Sequence, residues 1–397
     1  MKRRTVVAVL AVVLVLVLLF TLVSEDLQAQ KAASRPSVFV GVDVAYGNET
    51  AVYAVADAVY GFANLIIIGS LNVTTNTAAL TRVCDFLYQK GFYFIFLVAA
   101  AVTDFLPPLG PDSSFFSTAS AQWGSKFLGA YVFDEPGGHQ LDSSEKVVPS
   151  VPISQFEIND YSYASEDYVD SLTGDLAITL DWYTPSPVQS QLFTSDYGLY
   201  WYDYLSGYST IFAEFVGNQS RQIAVALDRG AAHVLGRDWG VIITYSANNT
   251  IENATQLYSD MTFAWQSDAK YIIVFDGNAT DASNSGVLTQ AHIDAMEQFW
   301  NYTKTNTRSN EYPANTAYVL PADYGFGFRN PSDTIWGLWN ADALSPAVWN
   351  NANSLLASYG NNLDIVFDAK LDSEPVTLPY EALIFWNGTT IQNNSKP

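Results

Sequence analysis

The chain has 397 residues, 49% of them apolar and only 15% charged, so it can build a large core and is not intrinsically disordered. Its net charge of −22, from 40 acids against 18 bases, excludes nucleic acid as a partner, because phosphates need a basic surface. One Cys and three His exclude an intrachain disulfide and argue against a zinc site, and no metal or cofactor is expected.

In chain order, the first feature is "MKRR" followed by twenty uncharged residues, Thr5 to Ser24. That run is long enough to span a bilayer as a helix. Residues 1–30 are therefore read as a membrane anchor. A cleaved signal peptide is the alternative, although its apolar region is usually shorter, about 7–15 residues. Lys2, Arg3 and Arg4 stay inside by the positive-inside rule, which puts the remainder outside. The nine N-x-S/T sequons, from Asn48 to Asn393, fit an exposed, glycosylated surface. An acidic, glycosylated protein without disulfides is in the style of an archaeal cell surface.

Seven strand-length apolar runs follow: "SVFVGVDVA" (37–45), "NLIIIGS" (64–70), "FYFIFLVA" (92–99), "FLGAYVFD" (127–134), "STIFAEF" (209–215), "WGVIITYS" (239–246) and "YIIVFDG" (271–277). Most are nearly continuous, as parallel strands buried on both faces are. Helical stretches separate them. One is "NTAALTRVCDFLYQKG", in which Cys84 reads as a buried helix residue and the last Gly as a C-cap. The alternation means α/β with right-handed crossovers, and the spacing fits a (β/α)8 TIM-type barrel over 31–310. The long gap between the fourth and fifth runs reads as an insertion after strand 4. At the C-terminus, "AYVLP" either closes the barrel or opens a small α/β domain over 311–397. The second reading is adopted, since "LDIVFD" and "ALIFW" need sheet partners. It leaves the eighth barrel strand unplaced.

In such a barrel the C-terminal strand ends converge on one site. Four of these ends finish in acids: Asp43, Asp134 with Glu135, Glu214 and Asp276. An acid there costs desolvation unless it is paired or used. Paired carboxylates suit glycoside hydrolysis, one donating a proton to the leaving oxygen and the other attacking or activating water. Glu135 is the acid/base candidate, Glu214 the nucleophile or base, and Asp276 its rival. The bland readings are a turn acid for Glu135 and an ion pair with Arg221 or Arg229 for Glu214. Asp43 and Asp134 are candidates for holding substrate hydroxyls, with Glu135 facing the axis and Asp134 tied to backbone or a basic partner. His139 could polarise a hydroxyl, and Trp182, Trp201 and Trp239 could stack on sugar rings. His233 and His292 read as structural. No phosphate-binding loop and no G-x-S-x-G occurs.

"GVDVAYG", "YVFDEPGG" and "IFAEF" at successive strand ends resemble the glycoside-hydrolase (β/α)8 barrels, many of which carry the acid/base just after strand four. In the best-known subgroup an Asn precedes that acid, where this chain has Asp134. The strand-rich tail is similar to a shortened form of the α/β domain that follows some β-galactosidase barrels. "DEPGG" and "DYGFGFRNP" also resemble uncharacterised archaeal surface proteins. The resemblance implies a carbohydrate substrate. The alternative reading is a non-catalytic carbohydrate-binding or structural cell-surface glycoprotein on the same scaffold.

Overall fold

The structure, a computed structural model, describes residues 36–99, 109–112, 114–142, 146–147, 160–181, 191–245, 250–277, 286–308, 312–371, 374–375 and 377–392. The apolar run at 5–24 lies outside them. Among the described residues no helix is long and apolar enough to cross a membrane.

Eight parallel strands close into a barrel: β1 (Phe39–Val44), β2 (Leu65–Ile68), β3 (Tyr93–Val98), β4 (Phe127–Val132), β5 (Gln191–Asp196), β6 (Thr210–Phe215), β7 (Asp238–Ile243) and β8 (Tyr271–Phe275). β8 pairs with β1, placing Asp43 beside Phe275, so "YIIVFDG" closes the ring. The unplaced strand is β5, "QLFTSD", inside the stretch read as an insertion. Glu214 therefore ends the sixth strand, not the fifth, and Asp276 follows the eighth, not the seventh. Two helices, Pro136–Asp142 and Tyr161–Asp181, lie between β4 and β5.

Strand alternation decides what fills the barrel, because residues two apart point the same way. Phe39, Leu65, Ile67, Ile95, Phe193, Phe212, Ile242, Tyr271 and Ile273 point inward and pack into one buried plug. The Phe39 and Tyr271 rings stack within it, 4.8 Å apart. One more step along each strand reaches the rim. There the inward positions become Asp43, Gly69, Leu97, Ser195, Glu214, Thr244 and Phe275. The plug is thus the dry floor of a pocket at the C-terminal strand ends.

The tail forms a second sheet in the order β10-β9-β13-β14, from β9 (Thr316–Leu320), β10 (Leu363–Phe367), β13 (Ala382–Phe385) and β14 (Thr390–Gln392). A short hairpin, β11 (Lys370–Leu371) with β12 (Glu374–Pro375), precedes β13. "AYVLP" is β9 and opens this sheet rather than closing the barrel. Barrel and sheet belong to one compact unit, residues 39–397.

The helix Arg221–Leu235 lies at the join. Arg229, 1% exposed, pairs with Asp364 of β10 at 2.8 Å and donates to Asn361 Oδ1 at 2.6 Å and to the Leu363 carbonyl at 3.1 Å. Tyr312 and Tyr380 donate to the other Asp364 oxygen at 2.6 and 2.8 Å. Every partner of this buried charge is supplied, which is the condition for such a pair to be tolerated.

Asp364→Ala should strand the Arg229 guanidinium and cost about 3–5 kcal/mol. Arg82→Ala, breaking the exposed pair with Glu49, should leave the urea midpoint nearly unchanged. Urea denaturation of the two variants checks the contrast.

Candidate active site

β4 ends at Val132, and the chain then leaves the wall by an irregular path. Phe133 and Glu135 both have left-handed backbones, with φ of 60° and 50°. For non-glycine residues each costs about 1–3 kcal/mol and persists only where the surroundings impose it. Here β5 and the segment after it impose it. Tyr208 donates to the Val132 carbonyl at 2.9 Å, and Thr194 donates to the Phe133 carbonyl. The Glu135 N–H donates to the Ser195 carbonyl at 3.1 Å. Asp196, fully buried, then accepts from the N–H groups of Gly137 at 2.5 Å, Gly138 at 2.9 Å, Tyr197 at 2.7 Å and Gly198 at 3.1 Å.

This explains the two glycines after Pro136. A Cβ on Gly137 would stand 2.5 Å from the Gly198 carbonyl oxygen, and one on Gly138 would stand 2.4 Å from the Tyr197 ring. Only bare backbone reaches Asp196. The far end of the short helix is braced from the tail. Gln140 Nε2 donates to the Trp336 carbonyl at 2.7 Å, and Arg329 pairs with Asp142.

The left-handed residues also break the strand alternation. Asp134 and Glu135 therefore both line the pocket instead of pointing apart. Asp134 accepts no hydrogen bond from backbone or a basic group among the described residues, as the sequence suggested it would, although the charge of His139 on the following helix reaches it. Tyr131 donates to it, and Ser195 lies 3.4 Å away. Tyr131 in turn accepts from the Ser195 N–H at 3.0 Å. The Ser195 hydroxyl donates to Glu214 at 2.5 Å.

The pocket measures about 210 Å³ and gathers Asp43, Asp134, Glu135 and Glu214. Glu135 and Glu214 lie within hydrogen-bonding reach of each other. Burial, then the charge of Asp134, raises Glu135 from 4.5 to about 7. Glu214 is pushed well up by burial, then by the charges of Glu135 and Asp134. Two carboxyls in contact without a cation hold one proton between them. Arg221 pairs with Glu252 and Asp260 instead, and Arg229 with Asp364, so neither answers Glu214. The opposite wall is aromatic. Tyr46 and Tyr245 each meet Phe275 edge-on, at 6.2 and 5.5 Å, and their hydroxyls lie close to each other.

The other sequence candidates lie elsewhere. Asp276 is buried and accepts from the N–H groups of Gly286, Val287 and Leu288 at 3.2, 2.8 and 3.2 Å, anchoring that loop. It does not line the pocket. His139 sits on the outer turn of the helix, its side chain exposed. Trp201 is buried against Phe367 of β10, ring centroids 5.5 Å apart. Trp239 is buried at the start of β7, away from the acids. Trp182 lies outside the described residues. His233 stacks on Tyr312 at 3.6 Å, and His292 caps its own helix. Sequence reasoning missed Tyr46, Tyr131, Ser195, Tyr245 and Phe275. The signal for Ser195 and Phe275 was the two-residue step inward from the plug. Among the described residues no cluster of His, Cys, Asp or Glu could hold a metal ion.

Solved structures share this fold. GH5_18 from Streptomyces cattleya, solved with GlcNAc, has a TM-score of 0.54 at 13% identity, over 89% of this chain and 100% of that one. A β-galactosidase from the Antarctic haloarchaeon Halorubrum lacusprofundi has a TM-score of 0.54 at 11% identity, over 88% and 69% of the two chains. One from Bacillus circulans sp. alkalophilus has a TM-score of 0.52 at 11% identity, over 88% and 67%. No family model and no curated protein matches the chain. The likeness is therefore one of fold, the parallel barrel of these glycoside hydrolases.

A carboxyl whose folded pKa is raised contributes stability below its unfolded value and loses it as pH rises through the folded one. For Glu135 that window runs from 4.5 to about 7. Removing one charge of the pair should relieve the repulsion above the window. Glu214→Gln should raise Tm by about 1–3 °C above the window and much less below it, read by thermal scans at the two pH values.

Proposed function

We propose that the chain is a retaining glycoside hydrolase, with Glu135 as acid/base and Glu214 as nucleophile. The observation that carries this reading is the contact between two carboxyls from different strand ends in a pocket walled on its far side by aromatic rings. Retaining enzymes hold their carboxyls about 5–5.5 Å apart, inverting ones about 6.5–9.5 Å to admit a water. A pair close enough to share a hydrogen bond fits the first class. Barrels that share its fold include glycoside hydrolases, one of them solved with GlcNAc and, as a variant, with Manβ1-4GlcNAc.

In this reading a sugar ring enters against Tyr46, Tyr245 and Phe275 and parts the two carboxyls. In the resting pair Glu214 is pushed up further than Glu135 and holds the shared proton more tightly, so the ring that parts them has to leave that proton on Glu135, which then gives it to the glycosidic oxygen as that bond breaks. Glu214, its charge supported by the Ser195 hydroxyl, bonds to the anomeric carbon. Glu135, now ionised, takes a proton from water, which displaces Glu214 and releases the sugar. Asp43 and Asp134 hold polar groups on the ring. The basic-then-apolar N-terminus and the nine sequons support an anchored, outward-facing enzyme at the cell surface, glycosylated and of archaeal style. Asn48 and Asn253 also cap helices with their side chains, a structural use that needs no glycan.

Activity requires Glu135 protonated, so the rate should fall as pH rises through about 7. Glu135→Gln should lower kcat about 10²–10⁴-fold on substrates with poor leaving groups and abolish that high-pH limb. Initial rates across pH on a glycoside panel check both. Binding of glycosides without hydrolysis by the wild type would favour the non-catalytic reading.

A further inference from the structure

The carbohydrate reading leaves open which sugar, and the pocket's inventory of donors and acceptors bears on that. Four carboxyl groups line it, and among the described residues no Lys, Arg, His, Asn or Gln does. Besides the one proton that Glu135 and Glu214 share, the side-chain donors present are hydroxyls, and most are already engaged. Tyr131 and Ser195 give theirs to Asp134 and Glu214. Tyr46 and Tyr245 interact with each other, which engages one of their two hydroxyl protons and leaves the other for a ligand. Thr244 points its hydroxyl at the Phe215 carbonyl, 3.4 Å away.

Asp43 stands apart from the other acids. It is 7% exposed, and its Oδ1 is buried with no hydrogen-bond partner among the described residues. That oxygen is packed against Gly69, where even a Cβ would come within 2.4 Å, so a ligand in the pocket meets the carboxylate at its other oxygen. Asp134 and Asp276 lie close enough to add repulsion. A buried acid with no donor is costly unless a ligand brings one.

A neutral hydroxyl would donate to Asp43, but its own lone pairs would find few donors in return. The carbonyl of an N-acetyl group would fare worse. A uronate or a sulfated sugar would meet like charge on every side. An ammonium group offers three donors, no acceptor, and a charge of the missing sign. The tyrosine rings that share the pocket wall suit a cation as well.

We propose that the preferred substrate is a glycoside of an amino sugar with a free ammonium group, received by Asp43 with Asp134. This deepens the hydrolase reading of the same pocket and rests on it for the location of the sugar.

The test uses the full-length protein and methyl glycosides of gluco, galacto and manno configuration. Each is supplied with a free amine, a hydroxyl or an N-acetyl group at the 2-position, and with a carboxylate at the 6-position in a fourth series. Binding is measured by calorimetry at a pH where the amine is protonated, and hydrolysis of matched aryl glycosides is followed alongside. In the configuration that binds, the amine should bind about tenfold or more tighter than the hydroxyl form, and the carboxylate form should bind least. Asp43→Asn should collapse the ratio of amine to hydroxyl affinity toward one. Equal or tighter binding of the hydroxyl or N-acetyl form overturns the proposal, as does an amine preference that survives Asp43→Asn. The wild-type series decides the matter even where that variant does not fold. Hydrolysis of neutral glycosides without any amine preference sinks this inference and leaves the hydrolase reading standing. Failure to bind or cleave any sugar sinks both.

Discussion

The carboxylate of Asp196 accepts from four backbone N–H groups, two of them on the helix that follows "DEP". That single constraint ties the exit of β4 to the end of β5. Together with the bonds from Tyr208 and Thr194 and to the Ser195 carbonyl, it holds Phe133 and Glu135 in left-handed conformations and keeps Glu135 against Glu214. Asp196 also lies beside the buried Asp203, which accepts from Tyr168 at 2.5 Å. Burial and neighbouring charge push both acids well up. The anchor is therefore itself part of a buried acid pair. It tolerates its place because backbone and tyrosine donors surround it.

The same logic runs through the pocket. Four acids crowd a cavity of about 210 Å³ with no cation among its described lining residues. That arrangement opposes folding and is held by groups further out: the Tyr131–Ser195 hydroxyl chain, the Asp196 cradle, and the tail that grips Gln140 and Asp142. The C-terminal sheet is not an appendage in this account. Through Arg229 and Asp364 it is fastened to the barrel, and the loop that leaves it steadies the segment after Glu135 through Trp336 and Arg329. Proton sharing between Glu135 and Glu214 is then what crowding leaves, and it is also what acid/base chemistry needs.

Much of this was legible in the chain, for a physical reason. Strands buried on both faces are continuous apolar runs, so seven of the eight stood out. β5 did not, because "QLFTSD" places Ser195 and Asp196 at the rim, where a site needs them polar, and it follows a Pro-rich stretch. Missing it shifted the strand numbers of Glu214 and Asp276 by one. The strand-end rule found the four pocket acids and also Asp276, which serves a loop instead. Strand alternation predicted that Asp134 and Glu135 would point apart. The positive φ angles that defeat it are imposed by β5, far away in sequence. Tryptophan was a poor guide to the aromatic wall. Trp201 and Trp239 are core residues, while the wall is made of Tyr46, Tyr245 and Phe275, whose positions depend on register rather than residue type.

The central claim is that Glu214 bonds to sugar while Glu135 moves the proton. A fluorinated glycoside with a good leaving group, chosen in whichever sugar configuration the wild type turns over, slows release of the covalent intermediate. Mass spectrometry of the digested protein then finds the labelled residue. The account predicts one sugar per chain, attached to Glu214 in the peptide that contains β6, with the label lost in Glu214→Gln. A label on Asp134, Asp43 or Glu135, or no label while the substrate is being hydrolysed, would contradict it.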